Sequence, residues 1–74
     1  MIVVYKAQPG DGWTVHHCAL SRRFQFDAYA ACYQARGHVR NGACEARVMD
    51  GETVFARFFR NEARQVVQVG GVDL

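Results

Sequence analysis

The first 26 residues contain three short runs of hydrophobic and polar side chains that are typical of strands. Residues 2–7 are rich in β-branched and aromatic side chains, and residues 8–12 then supply a proline, an aspartate and two glycines for a turn. Apolar and polar side chains alternate over residues 13–18 and again over residues 22–26. Because β-rich runs and a period of two are typical of strands, these three runs predict an antiparallel meander.

The pattern changes to a helical spacing after residue 26. Asp27 suits an N-cap, since its carboxylate can accept hydrogen bonds from the first turn of a helix. Asn41-Gly42 predicts the end of this helix, although Gly37 offers an earlier one. Small apolar residues recur at intervals of four, three and four between these signals, which places them on one helical stripe. They are Ala28, Cys32, Ala35 and Val39.

Strand patterns return in the second half of the chain. Residues 44–49 and 52–59 alternate on either side of Asp50-Gly51, which predicts a two-residue hairpin turn of type I′. Residues 64–69 are a further strand candidate, and Gly70-Gly71 is expected to loosen the tail. Within the strand at residues 52–59, alternation predicts one face that carries Thr53, Phe55, Arg57 and Phe59.

The whole chain, residues 1–74, is therefore predicted to form one α+β domain. We expect an antiparallel sheet of five to six strands, in the order β-β-β-α-β-β with residues 64–69 as the extra strand, and one helix packed on one face. One helix covers only one side of a sheet. The other side either curls around the core or meets a partner, and the exposed aromatic surface favours the partner. Trp13 follows a turn and shares a face with Val15, so we expect it in the core.

Composition restricts the class of partner. Half of the residues are apolar and 22% are charged, which excludes a disordered chain, and the net charge of +2 is small for a polyanion binder. The three cysteines cannot all pair, and the apolar run at the N-terminus is too short for a secretory signal. We therefore expect a cytoplasmic protein without a membrane partner.

The candidate chemical groups do not form a recognisable catalytic set. On a strand, His16 and Cys18 share a face and could supply two zinc ligands, but a structural zinc needs four, and Cys32 and Cys44 are isolated. A Cys18 thiolate assisted by His16 is the other chemical reading, and a plain strand cysteine beside surface histidines is the simplest one. No two carboxylates have a spacing that predicts a shared cleft. We predict no catalytic residue, no metal and no cofactor.

Three motifs occur in order along residues 12–58. They are Gly12-Trp13-Thr14-Val15, Phe26-Asp27 before an Ala-rich helix, and Val48-Met49-Asp50-Gly51. This pattern resembles small bacterial domains of unknown function, a family that implies a fold but no activity. In size and architecture, rather than in motifs, the chain is also similar to phage-encoded anti-CRISPR proteins, which implies action by covering a site on a larger complex.

The sequence thus predicts a non-catalytic protein-binding module, in the specific form of a phage or mobile-element inhibitor that blocks a larger host complex through its sheet face. The partner is expected to be a protein, either such a complex or a second copy of the chain. The alternative is a small nucleic-acid-binding protein, in which aromatic side chains stack on bases beside arginines. The predicted contact residues are Arg22, Arg23, Phe55, Arg57, Phe59 and Arg60.

Overall fold

A computed structural model describes residues 1–16 and 27–74. Over these residues the chain forms a five-stranded antiparallel sheet with one helix packed on it. The strand order across the sheet is β2-β1-β3-β4-β5. The predicted strand at residues 22–26 lies outside the described residues, as does the end of the second strand after residue 16. The elements are β1 (Ile2–Lys6), β2 (Thr14–Val15), α1 (Ala28–Arg40), β3 (Glu45–Asp50), β4 (Thr53–Arg60) and β5 (Val66–Gly70).

The helix has the ends that the sequence predicts. The Oδ1 atom of Asp27 accepts a hydrogen bond from the amide of Ala30 at 2.7 Å, which satisfies one of the free donors of the first turn. The helix continues through Gly37 to Arg40, and Gly42 then takes a φ of +114°, a conformation that glycine adopts without a Cβ clash. The longer of the two predicted helices is therefore correct.

The core lies between this helix and alternate residues of three strands. On the helix, the fully buried residues are small, so the backbone of α1 can approach the sheet closely. On the sheet, Phe58 is the largest fully buried side chain. Burying one such side chain stabilises the fold by about 1.5 to 3 kcal/mol. The fully or almost fully buried residues are Val3, Ala31, Cys32, Ala35, Val39, Ala46, Val48, Ala56 and Phe58.

The hairpin between β3 and β4 differs from the prediction in two ways. Asp50 pairs with Thr53, so the two central residues of the turn are Gly51 and Glu52, and only Gly51 has a positive φ. Glycine at the first central position is the pattern of a type II′ turn, so the predicted type I′ turn centred on Asp50-Gly51 is wrong. The pairing also shifts after Val48, which makes Phe55 the extra residue of a bulge.

The C-terminal tail is packed rather than loose. Gly70 and Gly71 have φ values of +75° and +80°, and they turn the chain so that Val72 and Leu74 pack against the core. A Cβ atom on Gly71 would lie 2.7 Å from the Cβ atom of Ala56. Glycine is therefore needed at both positions for the tail to pack closely on β4. The expectation that these glycines loosen the tail is wrong.

Candidate functional site

The side of the sheet away from the helix, which we call the open face, is built from the strand residues that alternate with the core positions. The register of the five strands arranges their side chains in three rows across the sheet. Several of the large apolar side chains in these rows are exposed, including Val69 at 51% and Val54 at 40%. The rows are Ile2, Met49 and Val54; Val15, Val4, Arg47, Arg57 and Val69; and Lys6, Glu45, Phe59 and Val67.

One carboxylate organises the charges at the centre of the open face. Arg47 and Arg57 lie directly opposite each other on β3 and β4, an arrangement that is destabilising for like charges. The Oε2 atom of Glu45 accepts hydrogen bonds from the Nε atoms of both, at 2.5 Å from Arg47 and 3.3 Å from Arg57. Burial by itself raises the pKa of Glu45, but the hydrogen bonds and charges of the two arginines outweigh it and hold the pKa below its usual 4.5.

Trp13 lies on the open face, not in the core. Two cations lie close to its ring, with the Nζ atom of Lys6 at 4.7 Å and the Cζ atom of Arg47 at 4.6 Å from the ring centroid. The side chain is 39% exposed. It forms one wall of a shallow cavity of about 220 Å³, which Val4, Arg47 and Met49 also line. The core prediction for Trp13 is therefore wrong, because cation–π contacts hold the ring over the outer side of the sheet.

The structure brings together two of the six predicted contact residues. Arg57 and Phe59 share the open face, with the Arg57 guanidinium 5.1 Å from the Phe59 ring centroid. Phe55 instead packs against the core, because the bulge in β4 takes it out of the alternation. The guanidinium of Arg60 donates to the carbonyl oxygens of three residues, which connects the end of β4 to the end of α1 and to the turn before β5. These acceptors are Val39, Arg40 and Arg64.

The other two predicted contact residues, Arg22 and Arg23, lie outside the described residues. Sequence reasoning also missed part of the face, namely Trp13, Arg47, Met49 and the carboxylate of Glu45. A signal for three of these was present in residues 44–49, where the small apolar side chains of Ala46 and Val48 alternate with Glu45, Arg47 and Met49. Small side chains such as Ala46 and Val48 suit a core on which a helix packs closely, so the longer side chains that alternate with them face away from the helix.

A histidine pair lies at the other side of the sheet, where the helix ends. The Nδ1 atom of His16 is 2.5 Å from the Nε2 atom of His38, and the ring of His38 stacks on Tyr5 with centroids 3.9 Å apart. At this distance the two nitrogens share a hydrogen bond, in which one donates and the other accepts. Burial lowers the pKa of His38 below 6.5, and charge repulsion from His16 lowers it further.

The predicted chemistry of His16 with Cys18 cannot be followed, because Cys18 lies outside the described residues. Within residues 1–16 and 27–74, no three His, Cys, Asp or Glu side chains are grouped so that they could hold a metal ion. The described cysteines, Cys32 and Cys44, are free thiols.

No protein-family model, curated protein or solved structure matches the chain. The two resemblances drawn from the sequence therefore stay predictions. In the part of the chain that the structure describes, no helix combines the length and apolar character needed to cross a membrane.

Proposed function

We propose that this chain is a non-catalytic binding module that contacts a protein partner through its open face. The observation that carries the proposal is the composition of that face, which the helix leaves uncovered. Tryptophan, methionine, phenylalanine and arginine are enriched in the buried centres of protein interfaces, and Trp and Arg are frequent hot spots. The open face combines all four types in Trp13, Met49, Phe59, Arg47 and Arg57.

The charge arrangement favours a protein over a nucleic acid. The carboxylate of Glu45 is hydrogen-bonded to both central guanidinium groups, which lowers the positive potential that a phosphate backbone would need. The whole chain has a net charge of only +2. The alternative function, binding of single-stranded nucleic acid, is supported by the cations beside the rings of Trp13 and Phe59. It predicts that affinity falls about tenfold or more between 50 and 200 mM salt if three phosphates are contacted.

A matched pair of double variants tests the use of the open face. Arg57→Ala with Phe59→Ala removes a cation–π pair from the open face, whereas Tyr33→Ala with Arg36→Ala removes a similar pair, at 5.5 Å, from the helix. Immobilised wild-type protein and both variants are incubated with bacterial lysate, with and without prior nuclease treatment. We expect the first variant to lose the captured protein and the second to keep it.

The opposite results are equally clear. Equal capture by the two folded variants would contradict the use of the open face, and loss of all capture on nuclease treatment would favour the nucleic-acid alternative. Circular dichroism of each variant controls for folding.

The more specific form of the proposal is that the partner is a large host complex and that this chain, encoded by a phage or another mobile element, inhibits it in the cytoplasm. The small domain and its one-sided apolar surface support a blocking role, and the free thiols of Cys32 and Cys44 support a reducing compartment. The activity of the captured complex is measured with added wild-type protein and with the Arg57→Ala, Phe59→Ala variant. Inhibition by the wild type alone is the expected result, and unchanged activity would contradict the inhibitor role.

A further inference from the structure

We propose that the cavity beside Trp13 receives one large apolar side chain of the protein partner, and that two cations next to the Trp13 ring bind a carboxylate beside that side chain. These cations are Lys6, which contacts the ring, and Arg47, which also lines the cavity. This inference rests on the proposed function and names the chemistry of the partner segment. The cavity is defined by Val4, Trp13, Arg47 and Met49.

The size and lining of the cavity favour a side chain over a small molecule. Its volume of about 220 Å³ is below the range of about 300 to 1,000 Å³ that is typical of ligand and cofactor pockets. Val4 and Met49 contribute apolar walls, and the Trp13 ring adds a flat aromatic one. Methionine adapts its shape to the group that it contacts, so Met49 can close around a side chain of either branched or aromatic type.

The position of Trp13 is fixed before a partner arrives. The cations of Lys6 and Arg47 lie 4.7 Å and 4.6 Å from its ring centroid, so the side chain already has a preferred orientation. A group that is ordered in the free protein loses little conformational entropy on binding, which favours its use as an anchor. Tryptophan and arginine are also the residue types that most often dominate binding energy at interfaces.

Charge determines which neighbour the anchoring side chain should have. Lys6, Arg47 and Arg57 carry three positive charges here, and Glu45, which lies opposite Lys6 and is hydrogen-bonded to both arginines, supplies one negative charge. A surplus of positive charge therefore remains beside the Trp13 ring, so an aspartate or glutamate of the partner would be attracted there and a lysine or arginine would be repelled. The partner segment is therefore an acidic one with a Leu, Phe or Met beside the acidic residue.

The test uses a phage-displayed library of random ten-residue peptides and the wild-type protein. Trp13 is the only tryptophan in the chain, so its fluorescence reports directly on occupation of the cavity. We expect the selected peptides to share a large apolar residue next to Asp or Glu and to shift this fluorescence. Changing the acidic residue of a selected peptide to its amide should weaken binding about tenfold, the effect of losing one charge-assisted contact. Two results would overturn the inference. One is selection of basic peptides, and the other is that the selected peptides are recovered equally well on the wild-type protein and on a Met49→Lys variant.

Two protein variants separate this inference from the proposed function. Met49→Lys places a charge in the cavity, and Val69→Lys places the same charge on β5, at the far edge of the open face. The captured partner protein should bind Met49→Lys at least tenfold more weakly than Val69→Lys. If Met49→Lys binds normally while Arg57→Ala with Phe59→Ala does not, the cavity is not the anchor but the open face remains the interface. If all variants bind normally, the proposed function fails as well.

Discussion

Gly71 offers a sharp test of how the C-terminal tail is packed. The change is Gly71→Ala, which adds a single methyl group. That group would lie 2.7 Å from the Cβ atom of Ala56 and 3.0 Å from the Sγ atom of Cys32. Carbon atoms prefer separations of about 3.5 to 4.0 Å, so the tail, the strand or the helix has to move.

Two effects determine how far Gly71→Ala lowers the free energy of unfolding. A residue with a Cβ atom at a φ near +80° costs about 1 to 2 kcal/mol, and insertion of a methyl group into a packed site costs about 1 to 3 kcal/mol. The tail can escape the clash by leaving the core, but it then exposes Val72 and Leu74, which are half-buried there. We therefore expect a loss of about 2 to 4 kcal/mol in the free energy of unfolding. That is a large part of the stability of a 74-residue domain, about 4 to 11 kcal/mol.

The assay is urea unfolding followed by circular dichroism, with Gly37→Ala as the matched control. A Cβ atom on Gly37 meets no atom within 4 Å, and this residue lies inside α1 with an ordinary helical φ. The control should therefore gain about 0.5 to 1 kcal/mol, because alanine favours the helix. If Gly71→Ala is within 0.5 kcal/mol of the wild type, the tail does not pack on Ala56 and Cys32 as described.

Three further changes test other parts of the fold. Asp27→Ala should cost about 1 kcal/mol, because the amide of Ala30 loses its capping carboxylate. Arg64→Gly should stabilise the fold by about 1 kcal/mol, because Arg64 has a φ of +60° in the turn before β5 and glycine adopts that φ without strain. Stability should fall as the pH drops below about 6.5, since the lowered pKa of His38 means that the unfolded chain binds more protons there, and the fall should end below the folded pKa. Urea midpoints measure all three.

A different result would contradict each of these three predictions. An Asp27→Asn variant should keep most of the capping energy, so equal losses for Asn and Ala would speak against the cap. A destabilised Arg64→Gly variant would show that the Arg64 backbone is not in the left-handed region. For the histidine pair, His38→Phe keeps a ring on Tyr5 but cannot titrate, so its stability should depend less on pH between 5 and 7. An unchanged dependence would assign the effect to another group.

Local signals in the sequence were enough to predict the helix and the class of fold. The ends of α1 depend on Asp27 and on Asn41-Gly42, residues whose own side chain or backbone freedom determines the local conformation. The alternation in β3 and β4 likewise depends only on which side of each strand is buried. These features need no knowledge of distant parts of the chain, and the structure confirms the resulting α+β fold with its helix on one side of the sheet.

The features of the fold and of the open face that could not be predicted from the sequence depend on contacts between residues that are distant in the chain. Alternation places Trp13 with Val15 but does not say which side of the sheet the helix covers. The position of the Trp13 ring also depends on contacts with Lys6 of β1 and Arg47 of β3. Phe55 leaves its predicted face because of a bulge that is defined only by the pairing of β3 with β4. Gly71 is next to Ala56 and Cys32 only after the sheet and the helix have assembled.

The alternation of side chains along β3 and β4 separates the residues that hold the helix from the residues that form the open face. Ala46, Val48 and Phe58 hold the helix, while their immediate neighbours on the other side of the same strands, such as Arg47 and Phe59, are largely spared from that task. Substitutions at exposed positions of the second set cost little folding free energy as long as Glu45 continues to balance the charges of Arg47 and Arg57. A designer could therefore randomise exposed positions of the open face while the core that holds the helix stays the same.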